Sequence, residues 1–522
     1  MKRYILLPFL LLAPCSMLLL QAQNTYMNER LVNNSSDVIG TARYVGMGGA
    51  LGALGADMSV ISWNPAGIGL YRKNDIAMTF GGLWGKSQII EENRGKGTID
   101  QAGFVYNMKI DSETCPYINF SFNYQKKINF NQNFYADNPN LGGLSQMDQW
   151  AQLTEYYDAQ NDPYNPVELA LANNGSNLFF NADADKNLFN PYRSYSNLYT
   201  HHSEGSLQGF DFNLSTNINN RAFLGLTVGV DNMRYRGWND YFEIGDGNYG
   251  LYNYDTYVSG TGLNVKLGTI IRPFEDDPFR FGFTVETPTW YRLRSSSLFY
   301  FYDDNGMRTN DGLSELKFNI RSPWKVRASI GSTVGSTFAW DIDYEYAAYA
   351  GTNMGYPKEE YDNGSTSGNI KDVDMNQLTR DNLRGTHTLR AGIEVNATKN
   401  LAFRLGYNLS TSAYKKNISY DQYYLNSYAR DFTTGTSYMR LGTTNILTLG
   451  MGYHSKSFYI DLAYKLRSQS ADFYAFDTGF ANSATGDPIF LNNNTTLADK
   501  TLDPVDVDLT RHAITCTLGF KF

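Results

Sequence analysis

The sequence predicts an all-β protein: a 14-stranded antiparallel transmembrane β-barrel with an N-terminal hatch, or plug, inside the lumen. Apolar residues recur with period two along many segments, and the connections between those segments alternate between tight turns and long polar loops. Beyond the N-terminal apolar run, no stretch of about 18 apolar residues could form a membrane helix, so a membrane form must be a closed barrel. Composition agrees: 39 Tyr, 31 Phe and 47 Gly in 522 residues, with only 18% charged side chains, disfavour helix and favour strands joined by turns.

The chain opens with "MKRYILLPFLLLAPCSMLLLQAQN", two cations followed by an apolar run and a small residue, which reads as a signal peptide over 1–22 cleaved after Ala22. Cys15 suggests a lipoprotein-type site, but Pro14 stands where such a site wants a small residue. The mature chain then keeps Cys115 and Cys516, too few for a disulfide ladder and without a CxxC pair. A net charge of −8 excludes nucleic acid as a natural partner, since phosphate binding needs a basic surplus.

Residues 23–74 form the candidate hatch and 75–522 the barrel. Alternation places strands near 75–86, 100–111, 116–128, 206–218, 221–236, 258–272, 279–296, 314–332, 337–349, 386–396, 401–414, 443–454, 457–470 and 509–522. In "SFYIDLAYKLRS", Phe458, Ile460, Leu462, Tyr464 and Leu466 share one face, while Asp461, Lys465 and Arg467 share the other. The even-numbered connections are short ("SETCP", "NN", "PFEDDP", "VGST", "ATKN", "SK"). The odd ones are long and rich in Asn, Asp, Tyr and Gly, the largest covering about 129–205. A soluble sandwich also alternates, but it has no reason to sort its loops this way, whereas an outer-membrane barrel puts its short turns on the periplasmic side.

Glycine-rich "GMGGALGALGADMSVISWNPAGIG" lacks the third glycine of a dinucleotide fingerprint and the Gly-Lys-Ser/Thr of a phosphate loop, and Asp57, Trp63, Asn64 and Pro65 interrupt any membrane helix. It is a mostly apolar segment with a lumen to fill. In "DIDYE", Asp341, Asp343 and Glu345 share a face and would serve as a hydrolytic carboxylate pair or, with Trp340, Ile342, Tyr344 and Tyr346 facing lipid, simply line the lumen. Arg390, Glu394, Arg404, Asp461 and Lys465, with Arg511 and Lys521, lie on the non-greasy phase and would brace a plug by ion pairs. The acidic runs "NADADKN" (181–187) and "DPVDVD" (503–508) lack the EF-hand glycine and glutamate. Adjacent His201 and His202 point to opposite sides of an extended chain, and His387, His454 and His512 are scattered. No GxSxG elbow occurs, so neither cofactor nor metal nor enzyme chemistry is expected.

Asn64-Pro65-Ala66 after "ARYVGMGGALGALGADMSVISW" resembles the hatch motif of the FadL/TodX family of outer-membrane transporters of long-chain fatty acids and other hydrophobic compounds. "FGFTVETPTWYRL", "SPWKVRASIG", "WDIDYEYAAYA" and "LRAGIEVNATKNLAFRLGYNLS" resemble family segments in the same order. The resemblance implies a monomeric barrel in the cell outer membrane of a Gram-negative-type bacterium, with a fatty acid-like ligand and the lipid bilayer as partners. It also implies passive uptake, gating at Asn64, Pro65, Ala66 and Gly67, and lateral release near the third strand, "PYINFSFNYQKKINF". The terminal Phe520 and Phe522 resemble the signal read by the outer-membrane insertion machinery. A surface receptor, for haem for instance, or a secretion-machinery partner built on the same barrel is the competing expectation.

Overall fold

Period-two patterning becomes fourteen paired strands in the computed structural model, which describes residues 37–85, 96–146, 180–183, 188–191, 193–245, 251–274, 277–302, 312–358, 368–416, 437–476 and 502–522. The expected signal peptide lies outside the described residues. The strands are β1 (Asp75–Gly85), β2 (Lys96–Lys109), β3 (Tyr117–Asn129), β4 (Ser194–Ile218), β5 (Ala222–Gly245), β6 (Leu251–Ile271), β7 (Arg280–Glu286 and Trp290–Tyr302), β8 (Gly312–Arg321 and Lys325–Val334), β9 (Phe338–Ala347, continued by Asn353–Pro357), β10 (Thr386–Asn396), β11 (Leu401–Ser410), β12 (Tyr438–His454), β13 (Phe458–Tyr474) and β14 (Arg511–Lys521). Each pairs antiparallel with its neighbours, and β1 closes the barrel on β14 from Asp75↔Lys521 to Gly85↔Arg511. Closure removes both sheet edges, the condition for strands to sit in lipid.

The two faces differ as the alternation requires. Ile76, Phe80, Phe104, Phe212, Leu405, Leu449 and Phe520 are exposed outward, whereas Thr79, Gln101, Asn213, Asn408, Thr448 and Thr517 are buried inward. An outer belt of this kind is the surface that faces lipid. The short turns gather at one end; the β4–β5 turn holds Asn219 and Asn220 at φ 52° and 54°, the left-handed pair that a two-residue hairpin needs.

The structure departs from the sequence reading in two ways. β4, β5 and β6 have 25, 24 and 21 residues, about twice the 9–11 that cross a bilayer. They continue past the lipid, and Gln132–Asn138 pairs with β4 there, so the loop expected over 129–205 gives up residues at both ends to strand. "SYSNLYTHHSEGS" lies beyond the lipid and has no greasy phase to betray it. Second, β7, β8 and β9 are each interrupted. Pro288 and Pro323 have no N–H to give the ladder. Two hydroxyls and one carbonyl seal the buckle instead: Thr289 N donates to Ser322 Oγ (2.8 Å), Ser322 N to the backbone Thr289 O (3.0 Å) and Val265 N to Thr287 Oγ1 (3.0 Å).

Candidate functional site: the hatch and the cavity above it

Residues 37–74 lie inside the barrel, at the end nearer the short turns. A short helix, α1 (Ala42–Gly46), begins at Thr41, whose Oγ1 accepts from Tyr44 N (3.2 Å) and donates to the Asp57 carboxylate (2.8 Å). Asp57 also caps the turn Met58–Ser62 by accepting from Ser59 N (2.8 Å). Burial pushes the Asp57 carboxyl above its usual range, against the opposing pull of Arg43. Asn64 caps the next turn, Pro65–Leu70, with Oδ1 accepting from Ala66 N (3.2 Å). Its Nδ2 reaches back to Gly52 O (2.7 Å) and across to Thr269 O of β6 (3.2 Å). Asn64 thus ties two hatch turns to each other and to the wall, while Pro65 fixes the entry angle.

Of the charges singled out on the lumen phase, Asp341, Asp343, Glu345, Arg390, Glu394, Arg404, Asp461, Lys465 and Arg511 are buried and Lys521 is half-buried; the first eight each bear on the hatch or on a neighbour that does. Asp341 Oδ2 accepts from Ala53 N (3.0 Å) and Leu54 N (2.8 Å), and Asp343 accepts from Gly52 N (3.2 Å). Glu394 bridges Arg43 of the hatch (3.0 Å) and Arg404 (2.6 Å), which continues to Asp461 (2.5 Å). Lys465 Nζ bonds Asp37 (2.6 Å) and Val38 O (2.8 Å). Burial alone would raise the Asp37 carboxyl; Lys465, Arg511 and Arg467 outweigh it and hold Asp37 below the usual carboxylate range. Glu345 instead pairs with Arg327 (2.6 Å), whose Nη1 donates to Trp63 O (3.2 Å). Arg390 donates to Tyr44 Oη (2.7 Å) and lies 3.5 Å from the Trp63 ring centroid, with Arg327 at 4.4 Å.

Six wall glycines, which alternation alone does not single out, let the hatch approach backbone to backbone. A Cβ on Gly225 would fall 2.3 Å from Pro65 C, and one on Gly268 2.2 Å from Asn64 Oδ1; Gly282 faces Gly52 O. Across the lumen, Gly392, Gly406 and Gly450 leave room for Met47, Gly48 and Gly46. Glycine on the inward phase of an otherwise bulky strand is the signal that would have marked them.

Above Trp63 lies a cavity of about 130 Å³. Rings of Tyr44, Trp63, Tyr291 and Tyr349 and the apolar Ile128, Leu207 and Ile320 line it, together with Lys127, Lys266, Lys325, Arg327 and Arg390. Asp231, Glu286 and Glu345 balance part of that charge: Lys127 bonds Asp231 (2.7 Å), and Arg327 bonds Glu286 (2.6 Å). Three buried polar atoms of its lining, Trp63 Nε1, Arg390 Nε and Thr352 Oγ1, have no hydrogen-bond partner among the described residues. Its roof is an apolar cluster that includes Phe130, Met233, Tyr235, Leu293, Phe318 and Met375.

No protein-family model matches the chain, and no curated protein does. Solved structures do. A Pseudomonas aeruginosa FadL homologue superposes over 94% of this chain and 100% of its own, at 12% identity and TM-score 0.50. The fold is that of a FadL-type barrel. The CymD monoaromatic hydrocarbon channel (10% identity, TM-score 0.48, 93% and 97% covered) and the Ralstonia pickettii toluene transporter TbuX (11%, 0.46, 93% and 99%) are also similar.

In this FadL-type barrel the β2–β3 ladder stops at Gln101↔Gln125, although both strands continue. Beside the parting, the β1–β2 register slips at Asp100 and the β3–β4 register slips at Lys127. Two bulges therefore flank the point where the backbone ladder ends; Lys126 Nζ crosses that seam to Thr98 Oγ1 and Asp100 (3.4 Å), and Gln125, Lys127 and Ile128 beside it line the cavity. Lys127, Lys266, Lys325 and Arg327 are residues that sequence reasoning did not select; patterning tells which face a side chain takes, not which strands meet at one height.

The remaining candidates do not converge. His201 is buried beside Phe134 and Tyr199, while His202 stacks on Trp238. Among the described residues no three His, Cys, Asp or Glu side chains are grouped to hold a metal ion. Part of the acidic run 181–187 lies outside the described residues. Phe520 and Phe522 are exposed outward with ring centroids 6.0 Å apart.

Proposed function

We propose that the chain is an outer-membrane channel of the FadL type for passive, hatch-gated uptake of long-chain fatty acids or other hydrophobic small molecules. The observation that carries this reading is the cavity directly above Trp63, with aromatic and cationic walls below and an apolar roof above. A cavity of this size is close to the roughly 150 Å³ that takes benzene. An amphiphile with an anionic head gains further: the head meets Trp63 Nε1 and Arg390 Nε, donors without partners, while the tail lies in the roof at about 0.8 kcal/mol per buried methylene. Because Trp63 precedes Asn64-Pro65-Ala66, a ligand that moves it pulls on the cap holding the hatch to Gly52 and Thr269. The β2–β3 seam, held beyond its ladder by Lys126 on Asp100 and Thr98, supplies the way out sideways once that side-chain link parts, which spares a greasy molecule the aqueous exit.

Uptake of a labelled fatty acid by cells or liposomes carrying wild-type protein, Asn64→Ala or a hatch deletion tests the gating. Asn64→Ala deletes one cap and two cross-links, about 1–2 kcal/mol of hatch anchoring. It should change uptake several-fold and admit small polar solutes that the wild type excludes. Unchanged uptake of every apolar probe would remove the hatch from the mechanism. Phe520 and Phe522 are proposed as the assembly signal. Deleting Phe522 should lower the yield of folded barrel in cells while leaving refolding in detergent unaffected, read by heat-modifiable gel migration.

A further inference from the structure

The outer wall carries a second feature that transport does not use. Across β11, β12 and β13, on the loop side of the apolar belt, lies a groove of about 460 Å³ lined by Arg384, Lys415, Lys416, Arg440, Gly442 and Asp472, among others. Outward positions on β12 run Tyr453, Met451, Leu449 and Leu447, all exposed and apolar, then Asn445, then Arg440. The cations therefore begin where the greasy belt ends, at the height of the lipid headgroups. A register shift between Leu441 and Thr444 opens the wall at this point, and Gly442 adds no side chain to fill it.

Among the described residues, four cations face one carboxylate here. Arg440 Nε bonds Asp472 (2.8 Å), whereas Arg384 Nε and Lys415 Nζ donate to backbone carbonyls, Ser412 O (3.1 Å) and Arg380 O (2.9 Å). These bonds orient the groups without neutralising them. The exposed pairs Arg236–Asp255 and Arg294–Glu315 elsewhere are balanced one to one, and the chain as a whole is acidic at −8, so the surplus is local. Tyr438 and Tyr474, stacked at 4.5 Å, sit next along the same two strands.

We propose that this groove binds the phosphorylated headgroup of a glycolipid in the outer leaflet, phosphates on Arg384, Lys415 and Lys416 and acyl chains along Leu447 and Leu449. Arginine and lysine are the phosphate binders of choice, and an adjoining apolar strip distinguishes a lipid from a free anion. The inference needs only the outer-membrane placement of the barrel and is independent of what the lumen carries.

Native mass spectrometry of the full chain in mild detergent, titrated with lipid A bearing two phosphates, tests it. The wild type should retain one equivalent. The exposed triple substitution Arg384→Ala, Lys415→Ala and Lys416→Ala should bind about tenfold or more weakly, as loss of charge-assisted bonds predicts. Arg294→Ala, on the far wall, should bind as wild type, and all variants should keep heat-modifiable migration and fatty acid uptake. Equal retention by the triple variant, equal binding of the dephosphorylated lipid, or full displacement by inorganic phosphate would each overturn the proposal.

Discussion

Replacing Arg404 by Met should destabilise the folded barrel by about 3–5 kcal/mol, the cost of removing one member of a buried ionic network. Arg404 is fully buried between Glu394 and Asp461, and Glu394 in turn holds Arg43 of the hatch. Without the guanidinium, among the described residues Asp461 keeps only His454, 3.1 Å away, and Glu394 keeps only Arg43. Methionine preserves the volume, so the loss is electrostatic rather than a cavity. Urea unfolding followed by tryptophan fluorescence measures the effect, and the double substitution Arg404→Met, Asp461→Asn should recover part of it. A loss below about 1 kcal/mol would mean that water already screens the network, as at a surface pair.

Gly225→Val should leave the barrel folded and dislodge the hatch. Its first added carbon falls 2.3 Å from Pro65 C and 2.5 Å from Ala66 N, which are backbone atoms that cannot swing aside. Something must shift, at a cost of about 1–3 kcal/mol for overpacking. β5 is held by continuous ladders to β4 and β6, whereas the turn Pro65–Leu70 is held by separate hydrogen bonds from Asn213, Asn119 and the Asn64 cap rather than by a ladder, so the hatch is the side that yields. Planar-bilayer recordings should show a persistent conductance absent from wild type. Closed channels with reduced thermal stability would indicate that the wall bends instead.

Fourteen strands, their in–out phase and the inward charges were legible because lipid enforces one greasy face on every strand. Asp461 and Lys465, for example, could only point inward once Ile460, Leu462 and Tyr464 had taken the outside. The limits are equally physical. Beyond the bilayer nothing enforces the pattern, so the outer half of β4 and the outer third of β5 and β6 read as loop. Pro288 and Pro323 were visible, but a proline in a run of alternation does not announce whether hydroxyls such as Thr287 and Ser322 will mend the ladder. The cavity was not legible at all, since Lys127, Lys266, Lys325 and Arg327 come from β3, β6 and β8 and meet only through the height at which each strand crosses the lumen. The glycine-rich stretch read only as an apolar segment with a lumen to fill; in the structure Gly46, Gly48 and Gly52 serve close approach to the wall, and the segment is bonded on several sides.

The interlock of hatch and wall also braces the cylinder from within. Gly46 and Gly48 lie against Gly450 and Gly406 with no side chain between them, while Arg43 bonds Glu394 of β10, Asp37 bonds Lys465 of β13 and the Trp63 carbonyl accepts from Arg327 of β8. Strands that are not neighbours in the ladder are thereby tied to one another across the lumen, so the hatch works as a set of spokes as well as a stopper.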